Sequence, residues 1–108
     1  MAREMSVQQL AAKRAAGEKL YLLDVRQPEE HALAALPGDV LIPMQELPQR
    51  WSEIQPPAGT PIVVYCHHGI RSRMAANFLA QCGLSDVVSL AGGIDAWSQE
   101  VDAKVTRY

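Results

Sequence analysis

Phenylalanine appears once in the 108 residues, cysteine twice, and no apolar run is long. Each shortage excludes something. Two cysteines cannot build a disulfide framework, so each thiol is either packed or reactive. No apolar run approaches the length that crosses a bilayer. The opening stretch MAREMSVQQLAAKRAAGEK lacks the continuous apolar segment of a secretory signal. One-sided charge is missing too: 10 Lys and Arg stand against 12 Asp and Glu, a formal net charge of −2. The basic residues are dispersed, with a small knot at Arg71 and Arg73 beside His67 and His68, and nucleic-acid binding calls for a larger basic face. The expectation is a cytoplasmic protein whose thiols stay reduced, with no nucleic-acid or membrane partner and monomeric by default.

What is present is enough for one core. Apolar residues make up 48% of the chain, and neither a linker nor a repeat divides it, so residues 1–108 read as a single domain. Ser6 with Gln9 forms a capping-box pattern ahead of a helix that Gly17 stops. LYLLDV is a dense apolar run of strand length, the kind covered on both faces. Pro28, Glu29 and Glu30 suit the first turn of a helix, and Pro37-Gly38 makes a turn. DVLIP reads as a second strand, Met44 to Ile54 as a loose helix interrupted by Pro48, Pro61 to Tyr65 as a third strand and Asp86 to Leu90 as a fourth. A helix with a Met74, Phe78, Leu79, Cys82 stripe lies between the last two, and Gly92-Gly93 opens a final helix carrying Trp97. Strands alternating with helices point to an α/β fold: a mostly parallel sheet with helices on both faces.

The stretch Cys66 to Ser72, CHHGIRS, concentrates the chemistry. Cys66 stands at the carboxyl end of a strand, where open α/β sheets bind ligands. A helix starts a few residues on, and its first amides have no intrahelical partner. A loop curled around the cysteine would turn successive N–H groups toward the sulfur, and Gly69 permits the positive φ that such a curl needs. Arg71 adds a fixed positive charge at the rim. Together these favour thiolate over thiol and make Cys66 a nucleophile.

Three segments carry a resemblance: LLDVRQPEEH at Leu22 to His31, CHHGIRS, and LAGGIDAW at Leu90 to Trp97. In this order and spacing the chain resembles the rhodanese-like sulfurtransferases along nearly its whole length. The resemblance implies a rhodanese-like fold, a mostly parallel sheet of about five strands. It also implies a two-step transfer: Cys66 takes the outer sulfur of thiosulfate or a persulfide, becomes a persulfide itself, and yields that sulfur to cyanide or a thiol. Carried over by position, Cys66 is the sulfur carrier. The backbone amides of His67, His68, Gly69, Ile70 and Arg71 line the cradle, and the Arg71 side chain steers a small anionic donor. Asp24 and Arg26 support the loop from beneath. No cofactor is implied. The acceptor is a small-molecule or protein thiol. Ala34-Ala35 stands where the family often has glycine-histidine, a departure on the side of the active face.

Other readings stay beside this one. Phosphatases and arsenate reductases on a similar fold also place a cysteine and an arginine around a short loop, but theirs is one residue longer. Four residues separate Cys66 from Arg71, and the tighter ring suits one sulfur atom better than a tetrahedral oxyanion. A non-catalytic interaction module is the third reading, which the retained Cys66 opposes. His67 and His68 are expected as solvated loop side chains rather than metal ligands, since three adjacent residues converge poorly on one ion. Ser72 either caps the helix or bonds the sulfur, Asp24 and Arg26 read as a structural ion pair rather than an acid–base pair, and Cys82 reads as a packed thiol rather than a resolving thiol for Cys66.

Overall fold

The computed structural model describes residues 3–108, so residues 1 and 2 of the expected domain lie outside the described residues. Five strands form one sheet: β1 (Arg3–Met5), β2 (Tyr21–Asp24), β3 (Val40–Leu41), β4 (Ile62–Tyr65) and β5 (Val87–Leu90). Their order across the sheet is β1-β5-β4-β2-β3, and every neighbouring pair is parallel. The helices are α1 (Val7–Ala15), α2 (Pro28–Leu33), α3 (Leu47–Arg50), α4 (Ile70–Gln81) and α5 (Gly93–Glu100).

The two dense apolar runs become the central pair β2 and β4, and all four β4 residues are buried. A strand with neighbours on both edges and helices on both faces has no solvent side, which is why its sequence does not alternate. One face packs Leu23, Ile62 and Val64 against Leu47 of α3 and Ala75, Ala76 and Leu79 of α4. The other packs Leu22, Val63 and Val88 against Val7 and Leu10 of α1 and Ile94 and Trp97 of α5.

Several elements differ from expectation. β1 was not anticipated: REM has no strand pattern of its own, and its pairing with β5, from Arg3 opposite Val88 to Met5 opposite Leu90, makes it a strand. DVLIP contributes only Val40 and Leu41. The loose helix resolves into two single 3₁₀ turns, Met44–Glu46 and Trp51–Glu53, around the one-turn α3, with Pro48 in its first turn. On α4 the buried stripe is Ser72, Ala75, Ala76 and Leu79, while Met74 is 56% exposed. Small residues face the sheet there because they let the helix approach it closely. Both expected caps are present. The capping box of α1 joins Ser6 and Gln9 by two hydrogen bonds, and Pro28 opens α2 with Glu29 and Glu30 in its first turn.

No helix among the described residues is long and apolar enough to cross a membrane. Because the strands are parallel, the carboxyl ends of β2, β4 and β5 open on the same side of the sheet, and the loops that follow them meet there.

Candidate active site

Cys66 follows β4 directly and is buried. The chain then curls: Gly69 adopts φ +106° and serves as the N-cap of α4. The curl brings two amides onto the sulfur. Gly69 N donates to Sγ at 3.1 Å and Ser72 N at 3.3 Å. The cysteine side chain thus satisfies an orphan amide in the first turn of α4, the task a serine or aspartate side chain performs at an ordinary N-cap. Donors on a sulfur stabilise negative charge there.

This corrects the expected cradle in two ways. Only Gly69 of residues 67–71 donates to Sγ, and Ser72 supplies the second amide. The amides of His67, His68, Ile70 and Arg71 have no hydrogen-bond acceptor among the described residues. Ser72 is not the cap, a place that Gly69 takes, but its hydroxyl does bond the sulfur, accepting from Sγ. It lies inside α4, fully buried, its hydroxyl donating to Gly69 O at 3.1 Å, 2.7 Å from Ser89 Oγ of β5 and 3.6 Å from Sγ.

A second layer of backbone holds the curl from below. Ile94 N donates to Cys66 O at 2.9 Å and Asp95 N to His67 O at 3.0 Å. These are first-turn amides of α5, so two helix starts, α4 and α5, converge on one loop. The approach requires glycine. A Cβ on Gly93 would sit 2.4 Å from both Cys66 O and His67 O, and one on Gly69 would sit 3.2 Å from Gly92 N. Sequence reading found Gly92-Gly93 as a helix opener but missed that Gly93 lies against the loop. The doubled glycine was its only signal.

A cavity of about 280 Å³ opens over this floor, lined by Cys66, His67, His68, Ile70 and Arg71. Arg71 was expected to present a free positive charge here. Instead both its terminal nitrogens are held by Glu30, at 2.7 and 2.9 Å. The Arg71 bond is the chief reason the Glu30 carboxyl falls to about 2, with burial opposing and the Gln27 amide and Tyr108 hydroxyl assisting. Glu30 therefore stays ionised wherever a thiol chemistry operates.

Asp24 and Arg26 are fully buried and joined by two bonds, Nε to Oδ1 at 2.9 Å and a terminal nitrogen to Oδ2 at 2.8 Å. Their geometry is that of a structural pair with no substrate access. Among the described residues their side-chain hydrogen bonds go to one another, to Glu30, Ala34, Tyr65 and Tyr108, and none goes to the Cys66 loop. Arg26 reaches it through a relay: it donates to the Tyr108 hydroxyl at 2.7 Å, Tyr108 donates to Glu30 at 2.9 Å, and Glu30 holds Arg71. Burial pushes the Tyr108 hydroxyl up to about 12, so it remains a donor. Arg26 also donates to Ala34 O at 2.6 Å, so what departs from the family pattern there still serves through its main chain. Tyr108, absent from the sequence reading, also stacks on the His67 ring at 3.9 Å.

His67 is consequently not a solvated side chain. It lies between Tyr108 and His68, whose ring is 3.8 Å away. Its Nε2 is buried without a partner. Burial, and then the neighbouring His68, push its titration below the ordinary imidazole range, leaving it neutral at pH 7. His68 is exposed, 3.7 Å from Asp95.

Ligand atoms of His67, His68 and Asp95 lie within 4.8 Å of one another. The arrangement does not suit a metal. The two rings stack with planes 30° apart, so their in-plane lone pairs run side by side rather than converging, and Arg107 and Gln99 occupy the two Asp95 oxygens. In a second trio, Asp24, His31 and Asp39, Arg26 holds Asp24, and His31 and the Tyr65 hydroxyl hold Asp39. Cys82 caps the far end of α4. Twelve helical residues, about 18 Å at the usual rise, separate it from the site, which rules it out as a resolving thiol for Cys66 in this fold.

Residues 6–100 match the Rhodanese-like domain family. A sulfurtransferase of Allochromatium vinosum is 37% identical over 99 residues, spanning 92% of this chain and 91% of that protein. The adenylyltransferase and sulfurtransferase uba4 of Ogataea parapolymorpha is 34% identical over 104 residues, which are 96% of this chain but 25% of that protein. Among solved structures, a rhodanese-related protein from Thermoplasma volcanium superposes with a TM-score of 0.80 at 32% identity, covering 92% of this chain and 93% of that one.

Proposed function

As the chain belongs to the rhodanese-like domain family, we propose that it is a sulfurtransferase that carries sulfur on Cys66 as a persulfide. The observation that carries this reading is the pair of backbone amides on Sγ, with four more amides of the same loop left without acceptors. The first two stabilise the attacking thiolate. The free ones suit an anion one atom further out, which is where the terminal sulfur of Cys66–S–S⁻ would rest. Relatives named as sulfurtransferases support the same reading.

The reaction needs no acid or base. Cys66 thiolate attacks the outer sulfur of the donor, an S–S bond forms, and the donor's own bond to that sulfur breaks with its electron pair leaving on sulfite or a thiolate. A thiophilic acceptor, cyanide or a thiol, then attacks the terminal sulfur and returns Cys66 to thiolate. Thiosulfate and persulfides are the donor classes. The buried Asp24–Arg26 pair takes no part beyond holding the structure.

Intact mass spectrometry tests this. After incubation with thiosulfate the protein gains the mass of one sulfur atom, loses it on adding cyanide with release of thiocyanate, and Cys66→Ser gains nothing. A protein that never gains sulfur from thiosulfate or from a small persulfide, yet is folded, is a binding module instead.

A further inference from the structure

Among the described residues, the one arginine or lysine that lines the Cys66 cavity, Arg71, has its own carboxylate, and so have two arginines beyond the lining. Arg71 is held by Glu30, Arg107 by Asp95 at 3.1 Å, and Arg26 by Asp24. His67 is neutral at pH 7. Arg73, the next cation along α4, is exposed and does not line the cavity. A site built to gather a dianion would leave positive charge unspent at its mouth. Here the fixed charges cancel pair by pair, and the thiolate itself adds one negative charge.

We propose that this site selects sulfur donors bearing a single negative charge over doubly charged ones, with Glu30 and Asp95 as the residues that set this preference. The proposal rests on the sulfur-transfer reading and narrows it. Thiosulfate is a dianion, and the amides facing it are dipoles rather than net charges. Bringing it to a thiolate in a neutral site repels twice as strongly as bringing a monoanion. The favoured donors are therefore thiosulfonates, R–SO₂–S⁻, or persulfide anions, R–S–S⁻. For a thiosulfonate, Cys66–S⁻ bonds to the outer sulfur, the S–SO₂ bond breaks, and its electron pair leaves on the sulfinate R–SO₂⁻. No proton moves, and the charge before and after is the same.

Methanethiosulfonate and thiosulfate are the matched probes, since one differs from the other by a methyl group in place of one anionic oxygen. The measurement is kcat/KM for each, with cyanide as acceptor, at low ionic strength and about pH 8, where ordinary imidazoles are neutral. Each ratio is divided by the corresponding ratio for free cysteine, which removes intrinsic leaving-group differences. The parent protein favours the monoanion by at least roughly fivefold. Glu30→Gln frees the Arg71 charge and shifts the ratio toward thiosulfate by roughly five- to tenfold. Arg107→Gln, at an exposed position that does not threaten folding, shifts it the other way, and added salt shrinks both shifts. Opposite signs in two variants are not produced by general loss of structure. Thiosulfate equalling or exceeding methanethiosulfonate in the parent, or both variants leaving the ratio unmoved, overturns the proposal while sulfur transfer stands. Transfer from neither probe overturns the sulfur-transfer reading itself.

Discussion

Two parts of the site are made of different material. The floor, Cys66 to Ser72, is held by backbone: Gly69 N and Ser72 N on the sulfur, and Ile94 N and Asp95 N on the loop carbonyls. The rim is held by side-chain charge: Glu30 with Arg71, Asp95 with Arg107. Main-chain dipoles fix where an anionic sulfur can sit but add no net charge, so the floor decides whether sulfur is carried at all. Paired side chains set the net charge that a donor meets on approach, so the rim decides which donor arrives. Substitutions in the floor should slow every donor alike. Those in the rim should sort donors by charge.

Gly93→Ala should break the floor most severely. Its methyl group would press at 2.4 Å on two backbone carbonyls, which cannot swing aside as a side-chain end can. The φ of +62° adds left-handed strain. Relief requires α5 and the Cys66 loop to separate, and a shift of about an ångström at a reacting atom can cost roughly a hundredfold. The rate of sulfur loading, followed by mass, should fall by about that factor from both thiosulfate and methanethiosulfonate, with a lowered melting temperature. Loading at the parent rate would mean that the two helix starts need not meet.

Gly69→Ala is the milder version. The nearest backbone atom to the new methyl is 3.2 Å away, and the strain comes chiefly from φ +106°, a cost of about 1–3 kcal/mol. Loading should slow roughly tenfold, and the ratio between the two donors should not change. A changed ratio would mean that floor and rim are not separable.

The parts legible in the sequence were those whose partners are close along the chain or whose burial is uniform. Cys66, Gly69 and Arg71 lie within six residues, and their spacing alone implied a curled loop before a helix. YLLD and IVVY announced buried strands by their unbroken apolarity. What stayed hidden depends on distant pairing. Arg71 and Glu30 are 41 residues apart and Tyr108 and Glu30 are 78 apart, so nothing local marked the arginine as already occupied. Ser89 meets Ser72 only because β5 lies beside β4. Strand β1 exists because β5 offers it an edge, and three residues carry no periodicity to read. On α4, apolarity pointed to Met74, yet the closest approach to the sheet selected the alanines.

The smallest expected effect concerns the rim's contribution to stability. Because Arg71 holds the Glu30 carboxyl at about 2 when folded, against an ordinary value of about 4.3, the unfolded chain binds that proton first as pH falls. The pair therefore stabilises the fold above roughly pH 4.3, and that contribution is lost as pH drops toward 2. The Glu30 side chain is 20% exposed and that of Arg71 34%, so solvent screening reduces the contribution to about 1 kcal/mol. Glu30→Gln should be less stable than the parent by about that amount at pH 6 in urea titration, and the gap should close near pH 2. A gap constant across that range would mean that the variant loses packing rather than charge. In that case the shift in donor preference could not be assigned to the Arg71 pair, and rim and floor would differ in position only.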